Sequence, residues 1–236
     1  MKILIAVVAY NEEKNLPAVF KDLAEHNFGY DVVLIDNGSS DETAKVAAEH
    51  GIPCVRHCVN TGSASGTLRA YFEYAHRYNY DILCQFDGDG QHFAAKLPLV
   101  ITPIQEDRAD YVIGSRFLKK EGFQSTALRR MGITLMANIA SRSIGFPFTD
   151  ITSGFRAYSK RVIDYIAMQY PYEIHDTLQL AMVSSMSGAR FAEVPIIMQE
   201  RIHGTSEYNI SFASKYMLKS LVNSLGCKLQ MKKRKK

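Results

Sequence analysis

Cysteine is scarce in this sequence, and its spacing argues against a structural metal centre. The chain has four cysteines among 236 residues and no Cys-x-x-Cys pair. Cys54 and Cys58, with His57 between them, could form half of a zinc site, but no second pair of ligands follows at a suitable spacing. Reduced, buried cysteines in a cytosolic protein are the better interpretation.

Long apolar runs are also missing. The longest stretch without Asp, Glu, Lys or Arg covers residues 177–189, which is too short to span a bilayer. Met1 and Lys2 lead directly into a strand-like run that ends in polar Asn11-Glu12-Glu13, so we expect no secretory signal. A cytoplasmic location follows as an expectation.

Basic residues are not in excess outside the C-terminal end. The formal net charge is +4, and the last five residues, 232–236, are all Lys or Arg. Without these five residues the net charge changes from +4 to −1, so the body of the chain is close to neutral. A nucleic-acid binder normally carries a basic face on its folded domain, so we expect no nucleic-acid partner.

What the chain does contain is a regular alternation of strand and helix patterns. Apolar runs predict strands at residues 3–9, 32–35, 54–55, 81–86, 110–114, 152–158 and 191–198. Helical spacing is found at residues 15–26, 42–49, 66–78, 94–106, 128–144, 160–169, 176–187 and 212–231. Short connections and continuous apolar strands favour an α/β fold with a parallel sheet covered on both faces.

Polar residues follow several of the predicted strands. Tyr10-Asn11-Glu12 follows the first strand, Asp36–Asp41 the second, Asp87–Gln91 the fourth and Ser115-Arg116 the fifth. In such sheets ligands bind at the carboxyl ends of the strands. The sequence therefore predicts a polar, acidic site at one edge of the sheet.

The run Asp87-Gly88-Asp89-Gly90-Gln91 has the chemistry of a cation site. Two carboxylates two positions apart can face one Mg²⁺ or Mn²⁺ ion, which prefers oxygen ligands and often takes carboxylates together with substrate phosphates. Gln91 could add another oxygen, and the two glycines allow close backbone approach. Asp-Gly is also a common turn dipeptide, so the run alone is compatible with a plain turn.

Seven ordered motifs carry a resemblance to a known family. They read VVAYNEEKNL, VVLIDNGSSDET, NTGSASGTLRA, QFDGDGQH, YVIGSRF, DITSGFRAYSK and AEVPIIMQERIHG. Over residues 1–210 the chain resembles the inverting, nucleotide-sugar-dependent glycosyltransferases of family 2. The nearest branch holds dolichyl-phosphate mannose synthase and the bacterial enzymes of cell-wall and surface-polysaccharide assembly. The resemblance implies a GT-A (Rossmann-like) fold, with a mostly parallel sheet and helices on both faces, as the catalytic domain.

The resemblance also implies a nucleoside pocket at the ends of the first two strands. Ala9, Tyr10 and Glu12 would line it, with Glu12 on the ribose hydroxyls. Asp36 would accept a hydrogen bond from the base. Tyr10 could instead be a packing residue at the end of a strand.

For the donor diphosphate, the resemblance implies a metal-assisted site. Asp87 and Asp89 would hold Mg²⁺ or Mn²⁺, with Gln91 as a supporting ligand. Arg116 would face the phosphates or the acceptor. Arg201 resembles the basic residue of a mobile loop that closes on the donor, and it could otherwise be an ordinary charge at a strand end.

The acceptor side departs from the family pattern. Arg129 or Arg130 resembles an arginine that meets an acceptor phosphate, although both could belong to a solvated helix face. Gln179 stands where relatives carry an acid, so we predict the nearby Asp176, rather than Glu173, as the catalytic base. An N-cap role for Asp176 is the alternative. An ionised phosphate acceptor would need no base.

The C-terminal segment, residues 211–236, is predicted to be an appendage to the catalytic domain. Its helix carries an apolar stripe of Leu218, Leu221, Val222, Leu225 and Leu229, and the basic residues 232–236 follow. An apolar face beside a polybasic segment is suited to an anionic membrane surface. The helix could instead pack on the body of the protein.

The expected function is transfer of a sugar from a nucleotide-diphosphate sugar to a polyprenyl-phosphate or lipid-linked saccharide acceptor. The enzyme would be peripheral on the inner face of the cell membrane and would serve cell-wall or surface-polysaccharide synthesis. An inactive nucleotide-binding partner subunit of a membrane glycosyltransferase complex is the alternative. A nucleotidyltransferase is disfavoured because Tyr10-Asn11-Glu12 stands where a Gly-rich phosphate loop is needed. The sequence leaves open a homo-oligomer.

Overall fold

The centre of the molecule is one mixed sheet. The computed structural model describes residues 1–26, 28–62, 65–119, 127–169, 174–199, 201, 203 and 218–229. Within these residues seven strands pair: β1 Ile3–Ala9, β2 Asp31–Asp36, β3 Cys54–Arg56, β4 Ile82–Asp87, β5 Tyr111–Ser115, β6 Arg156–Ser159 and β7 Phe191–Pro195. Their order is β3-β2-β1-β4-β6-β5-β7. β6 is antiparallel to β4 and β5, and the other pairs are parallel.

Helices cover both faces of this sheet, as predicted. They are α1 Leu16–His26, α2 Thr43–Glu49, α3 Ser65–Arg77, α4 Leu97–Gln105, α5 Ala127–Ile144, α6 Lys160–Asp164, α7 Thr177–Met186 and α8, residues 218–229. β1 shows why the sheet needs a layer of helices on each face. Leu4 and Ala6 enter one core with α3, α5 and α7, whereas Ile5 and Val7 enter another with α1 and α4. A strand that is buried on both faces has a continuous apolar sequence.

The strand register sets the position of the site. Ala9 at the end of β1 pairs with Asp36, and Val8 pairs with Asp87. Because β1, β2 and β4 are parallel, their carboxyl ends lie at the same edge of the sheet. Both aspartates therefore flank the end of the central strand β1.

Several predicted boundaries differ from the structure. β6 begins at Arg156 instead of 152, because residues 149–155 form a loop whose contacts bring Gly154 against Asp87. The predicted helix at 160–169 is α6 followed by a π-helical turn, Tyr165–Gln169. β7 ends at Pro195, a residue with no N–H to continue a ladder.

The expectation of buried cysteines is correct for Cys84 and Cys227 and wrong for Cys54 and Cys58, which are exposed. The reason is their location on or beside β3, a three-residue strand at the open edge of the sheet. An edge strand has a neighbour on one side only, so its side chains receive less cover.

The helix α8 faces the body with small residues and solvent with large ones. Ser220, Ser224 and Cys227 are buried, and Cys227 joins the core beside α7. Leu218, Val222, Leu225 and Leu229 are 65%, 61%, 63% and 64% exposed. We call these four residues the α8 stripe. Residues 204–217 and 230–236, including the basic tail and the predicted domain boundary at 210, lie outside the described residues.

No helix in the described ranges is both long and apolar enough to cross a membrane.

Candidate active site

Asp87 is held at the end of β4 by buried neighbours. Its Oδ2 lies 3.1 Å from Nε2 of His92, and the His92 ring is stacked on Phe155 with centroids 4.9 Å apart. Burial raises the pKa of Asp87, but the His92 hydrogen bond and charge, together with Gln85 and Arg156, outweigh it and leave the pKa below its usual value. The carboxylate is therefore kept ionised, as a cation ligand must be.

Gly154 allows the loop before β6 to touch this carboxylate. A Cβ atom at position 154 would overlap the Asp87 carboxyl group. The close approach requires glycine, because any larger residue would push Asp87 or the loop away. Gly154 thus fixes the direction in which Asp87 points.

Asp89 lies beside Glu12, from the end of β1, and Arg201 joins them. Nη2 of Arg201 donates to Oδ2 of Asp89 at 2.8 Å, and Nη1 lies 3.4 Å from Oε1 of Glu12. The other Glu12 oxygen accepts a hydrogen bond from Asn15 Nδ2 at 2.6 Å. Burial raises the pKa of Glu12, and the Asn15 hydrogen bond and the Arg201 charge counteract only part of this effect. Arg201 thus links predicted site residues that follow two different strands, β1 and β4.

Residues 196–199, 201 and 203 cross this edge of the sheet, and we call them the strap. Gln91 Nε2 donates to the Gln199 carbonyl at 3.1 Å, and the Gln199 N–H donates to the Gln91 carbonyl at the same distance. Asn15 Nδ2 also donates to the His203 carbonyl at 3.2 Å. The strap is therefore fastened to the residues that follow β1 and β4.

The predicted nucleoside pocket is adjacent. Asp36 is fully buried, and its Oδ1 accepts from the Ser39 N–H at 2.9 Å. Its Oδ2 lies 3.1 Å from Nε of Arg56 and has no hydrogen bond of good geometry among the described residues. Ala9 is buried and Tyr10 is half-buried. The Asp36 carboxylate at the end of β2 is thus buried against Ser39 and Arg56.

Arg116 is tied into the loop after α5. It donates to both oxygens of Asp150, at 2.6 and 2.8 Å, and to Thr152 Oγ1 at 2.8 Å. Burial raises the pKa of Asp150, but Arg116 outweighs it and the pKa lies below its usual value. Glu193 accepts hydrogen bonds from the backbone N–H groups of Thr149 and Asp150, which fixes the loop from the β7 side.

Arg130 and Arg116 both lie close to the aromatic ring of Phe117. The guanidinium carbons of Arg116 and Arg130 lie 5.4 and 5.6 Å from the centroid of Phe117. The Arg129 side chain lies outside the described part of the structure. Two cations are therefore gathered around Phe117, on the side of the sheet edge that β5 forms.

Asp176 is engaged as the N-cap of α7. Its Oδ1 accepts from the Gln179 N–H at 2.8 Å, its Oδ2 accepts from Asn223 of α8 at 3.3 Å, and the residue is 1% exposed. Within the described residues no contact joins Asp176 to Asp87 or Asp89. Glu173 lies outside those residues. The predicted base is thus occupied in a structural role.

The side chains at this edge suit a Mg²⁺ or Mn²⁺ ion that is shared with a substrate. Asp87 and Asp89 supply hard carboxylate oxygens, and no group of three or more His, Cys, Asp or Glu among the described residues forms a complete metal cage. Mg²⁺ is usually bound through one or two carboxylates plus substrate phosphates. The donor set therefore fits a metal–diphosphate complex better than a resident structural ion.

Sequence reasoning missed His92, Gly154, Asn15 and Asp150. His92 and Gly154 lie inside the motifs QFDGDGQH and DITSGFRAYSK, so the signal was present without a role attached. Asn15 lies inside the motif VVAYNEEKNL and in the helical spacing at 15–26, also without a role attached. Its contacts with Glu12 and with the strap, 188 positions away, exist only in the folded chain.

The fold matches solved glycosyltransferase structures. Glucosyl-3-phosphoglycerate synthase from Mycobacterium tuberculosis, solved with Mn²⁺ and UDP-glucose, has a TM-score of 0.69 at 16% identity over 96% of this chain and 78% of that chain. Mannosyl-3-phosphoglycerate synthase from Rubrobacter xylanophilus has a TM-score of 0.66 at 15% identity over 99% and 75%. The predicted GT-A fold is confirmed. The fold and family together define a nucleotide-sugar-dependent glycosyltransferase.

The chain belongs to glycosyl transferase family 2, whose model matches residues 4–166. It is 31% identical over 218 residues to undecaprenyl-phosphate mannosyltransferase of Micrococcus luteus, covering 88% of this chain and 87% of the relative. It is 29% identical over 213 residues to UDP-N-acetylglucosamine–dolichyl-phosphate N-acetylglucosaminyltransferase of Methanococcus voltae, covering 82% and 84%. The predicted family is confirmed.

Proposed function

We propose that this protein transfers a sugar from a nucleoside-diphosphate sugar to a polyprenyl phosphate, in an inverting reaction that needs Mg²⁺ or Mn²⁺. The observation that carries the proposal is the contact of Asp89 and Glu12 with Arg201 beside the ionised Asp87. Carboxylates and a guanidinium at the carboxyl ends of parallel strands suit a metal-bound diphosphate. The printed names of both relatives above support the lipid-phosphate acceptor.

The donor residues have separate tasks. Asp36 would orient the base, and Glu12 would meet the ribose hydroxyls. Asp87 and Asp89 would hold the metal, with Gln91 in support, and the bound ion would neutralise charge that develops on the leaving diphosphate. Arg201 is near enough to contribute a second positive charge to that leaving group.

The state of Asp176 favours a phosphate acceptor. A hydroxyl acceptor must lose a proton as it attacks, which requires a base that can reach it. Both oxygens of Asp176 are engaged by Gln179 and Asn223. An ionised phosphate oxygen can attack the anomeric carbon directly, on the face opposite the leaving diphosphate, so no proton has to be moved.

The two arginines around Phe117 are the proposed acceptor-phosphate residues. Arg130 is exposed, and Arg116 is anchored by Asp150. Guanidinium groups bind phosphate through directed N–H donors. Arg129 remains a candidate from its sequence position alone.

We further propose that α8 places the enzyme on the cytoplasmic surface of the membrane. The α8 stripe consists of four large apolar side chains that face away from the body. Lys219 and Lys228 are exposed on the same helix, and the basic residues 232–236 follow in the sequence. Apolar burial combined with attraction to anionic lipid is the usual basis of interfacial helices. A lipid product formed there would serve surface-glycan synthesis.

The test is a transfer assay with the full chain and polyprenyl phosphate in anionic vesicles. UDP-glucose, UDP-N-acetylglucosamine and GDP-mannose are each supplied with Mn²⁺, Mg²⁺ or EDTA. One donor should give a sugar-phosphate lipid only with metal. Asp89→Asn should reduce the rate on the order of 100-fold, whereas the control Asp164→Asn, whose carboxylate pairs with His76, should not.

Other outcomes separate the alternatives. Metal-dependent nucleotide binding without transfer to any acceptor would favour an inactive partner subunit. Transfer that persists unchanged in EDTA and in Asp89→Asn would contradict the metal site. Transfer to a saccharide hydroxyl but not to the lipid phosphate would contradict the acceptor proposal.

A further inference from the structure

Arg201 lies against Asp89, one of the two carboxylates that would hold the metal. Its guanidinium contacts Asp89 at 2.8 Å and Glu12 at 3.4 Å, and the side chains of these two acids are only 11% and 10% exposed. Two nearly buried carboxylates thus share one guanidinium that belongs to the chain itself. The Arg201 side chain is 28% exposed, so it can leave without disrupting a core.

The strap, which includes Arg201, is fastened to the sheet edge by hydrogen bonds before and after this residue. Gln199 exchanges backbone and side-chain hydrogen bonds with Gln91 and donates to the Gly90 carbonyl. His203, two positions beyond Arg201, is bound by Asn15, which also holds Glu12. Gln199 and His203, on either side of Arg201 in the sequence, are thus both held by hydrogen bonds.

A guanidinium on Oδ2 of Asp89 and a divalent cation held by the same carboxylate repel each other and compete for its lone pairs. We propose that Arg201 is an exchangeable internal counter-ion. It holds Asp89 in the free protein and releases it when a nucleoside diphosphate offers its own negative charge to the guanidinium. Metal and nucleoside diphosphate should then bind with positive coupling.

In the exchange, Arg201 and Asp89 each replace one partner of opposite charge with another. Arginine binds phosphate oxygens in a bidentate manner, so the diphosphate is a suitable replacement partner. Asp89 would then be free to hold the metal together with the phosphate oxygens. By linkage, each ligand must raise the affinity of the other by the same factor. Bare metal should bind the free protein weakly.

The exchange rests on the proposed metal–diphosphate site, and direct binding of Mn²⁺ tests it. Mn²⁺ is titrated into the full chain with and without UDP or GDP, and free Mn²⁺ is measured by electron paramagnetic resonance. Arg201→Gln should tighten Mn²⁺ binding in the absence of nucleotide by about three- to tenfold, the range of a partly exposed ion pair. The same variant should bind the nucleoside diphosphate more weakly, so the coupling factor should fall.

Two further variants make the result specific. Arg56→Gln also removes a positive charge at this edge, but its Nε contacts Asp36 instead of Asp89. It should change Mn²⁺ affinity of the nucleotide-free protein by less than about twofold, as expected for a screened charge. Arg201→Lys keeps the charge without the planar fork and should give an intermediate coupling factor. Thermal unfolding midpoints confirm that each variant is folded.

Unchanged Mn²⁺ affinity in Arg201→Gln would overturn the inference, as would an equal gain in Arg56→Gln. A wild-type protein that transfers sugar with Mn²⁺ but shows no coupling between Mn²⁺ and nucleotide would overturn it and leave the proposed function intact. A wild-type protein that binds no Mn²⁺ even with every nucleotide would overturn both.

Discussion

The sheet edge at β1, β2 and β4 and the outer surface of α8 depart from the usual burial pattern in opposite directions. At the sheet edge, Asp36, Asp89 and Glu12 are buried charges. On α8, four large apolar side chains are exposed while Ser220 and Ser224 are buried. Buried charge and exposed contiguous apolar surface are each costly to a free protein.

The two regions also differ in how they are compensated. Every buried acid named above has a partner within the chain, either Arg56, Asn15 or Arg201. The α8 stripe has no such partner among the described residues. The charges of the sheet edge are thus compensated by side chains of the chain itself, whereas the described residues leave the α8 stripe exposed.

The largest expected effect is on the sheet edge. In Gly154→Ala, the new methyl group would displace the Asp87 carboxylate, and displacements near 1 Å can cost about 100-fold in rate. Metal-dependent nucleotide binding should weaken with it, measured by thermal shift and by transfer rate. Gly226→Ala is the matched control, because nothing lies within 4 Å of a Cβ there. Equal behaviour of the two variants would show that Asp87 does not need its observed position.

A second effect concerns the α8 stripe. Val222→Glu combined with Leu225→Glu should reduce binding to anionic vesicles by about tenfold or more, since each large apolar side chain contributes about 1.5–3 kcal/mol when fully buried. Cosedimentation with vesicles measures it. Leu99→Glu, at a residue that is 41% exposed on α4, is the control and should bind as wild type. Transfer to a short, water-soluble prenyl phosphate should survive both changes.

A smaller effect is expected at Asp176. Asparagine also caps helices, so Asp176→Asn should fold normally, whereas Asp176→Ala should lose about 1 kcal/mol of unfolding free energy. With a phosphate acceptor, Asp176→Asn should change kcat by less than about threefold, because no general base is required. A loss of 100-fold or more, with an unchanged Tm, would restore Asp176 as the catalytic base.

The smallest expected effect is a pH dependence of the fold's stability, which arises at Asp110, away from both regions. Burial raises the pKa of Asp110, but Arg190 outweighs it, so the folded pKa lies below the ordinary value of 3.8. Asp110 thus stabilises the fold above pH 3.8, and this contribution is lost as the pH falls through the folded pKa. Asp110→Asn should cost about 1 kcal/mol in urea unfolding at pH 7 and less at pH 3. Glu25→Gln, in an exposed pair with Lys21, should cost nothing at either pH.

Much of the donor side could be predicted from the sequence because its chemistry is local. Asp87, Asp89 and Gln91 lie within five positions, and parallel strands must end at the same edge. The fold class followed from the alternation of apolar runs with helical spacing. The position of β6 was harder to predict, because its antiparallel insertion depends on distant pairs. Arg156 pairs with Gln85 of β4, 71 positions away, and with Ile113 of β5, 43 positions away.

The acceptor side could be predicted less well. Asp176 lies at the right place in the chain to be a base, but only the fold shows that Gln179 and Asn223 take both of its oxygens. The pairing of Arg116 with Asp150 likewise joins segments 34 positions apart. Such contacts leave no local signature in composition or spacing.

The amino-acid sequence by itself determined the α/β class, the family, the carboxylate pair after β4 and the amphipathic character of the C-terminal helix. These features depend on residue type and short-range spacing, which the chain carries before it folds. Only the tertiary structure decided that Arg201 sits on Asp89 and Glu12, that Gly154 must be small, and that the α8 stripe faces outward. Those outcomes depend on which distant segments come into contact, and on which face of a helix packs against the core.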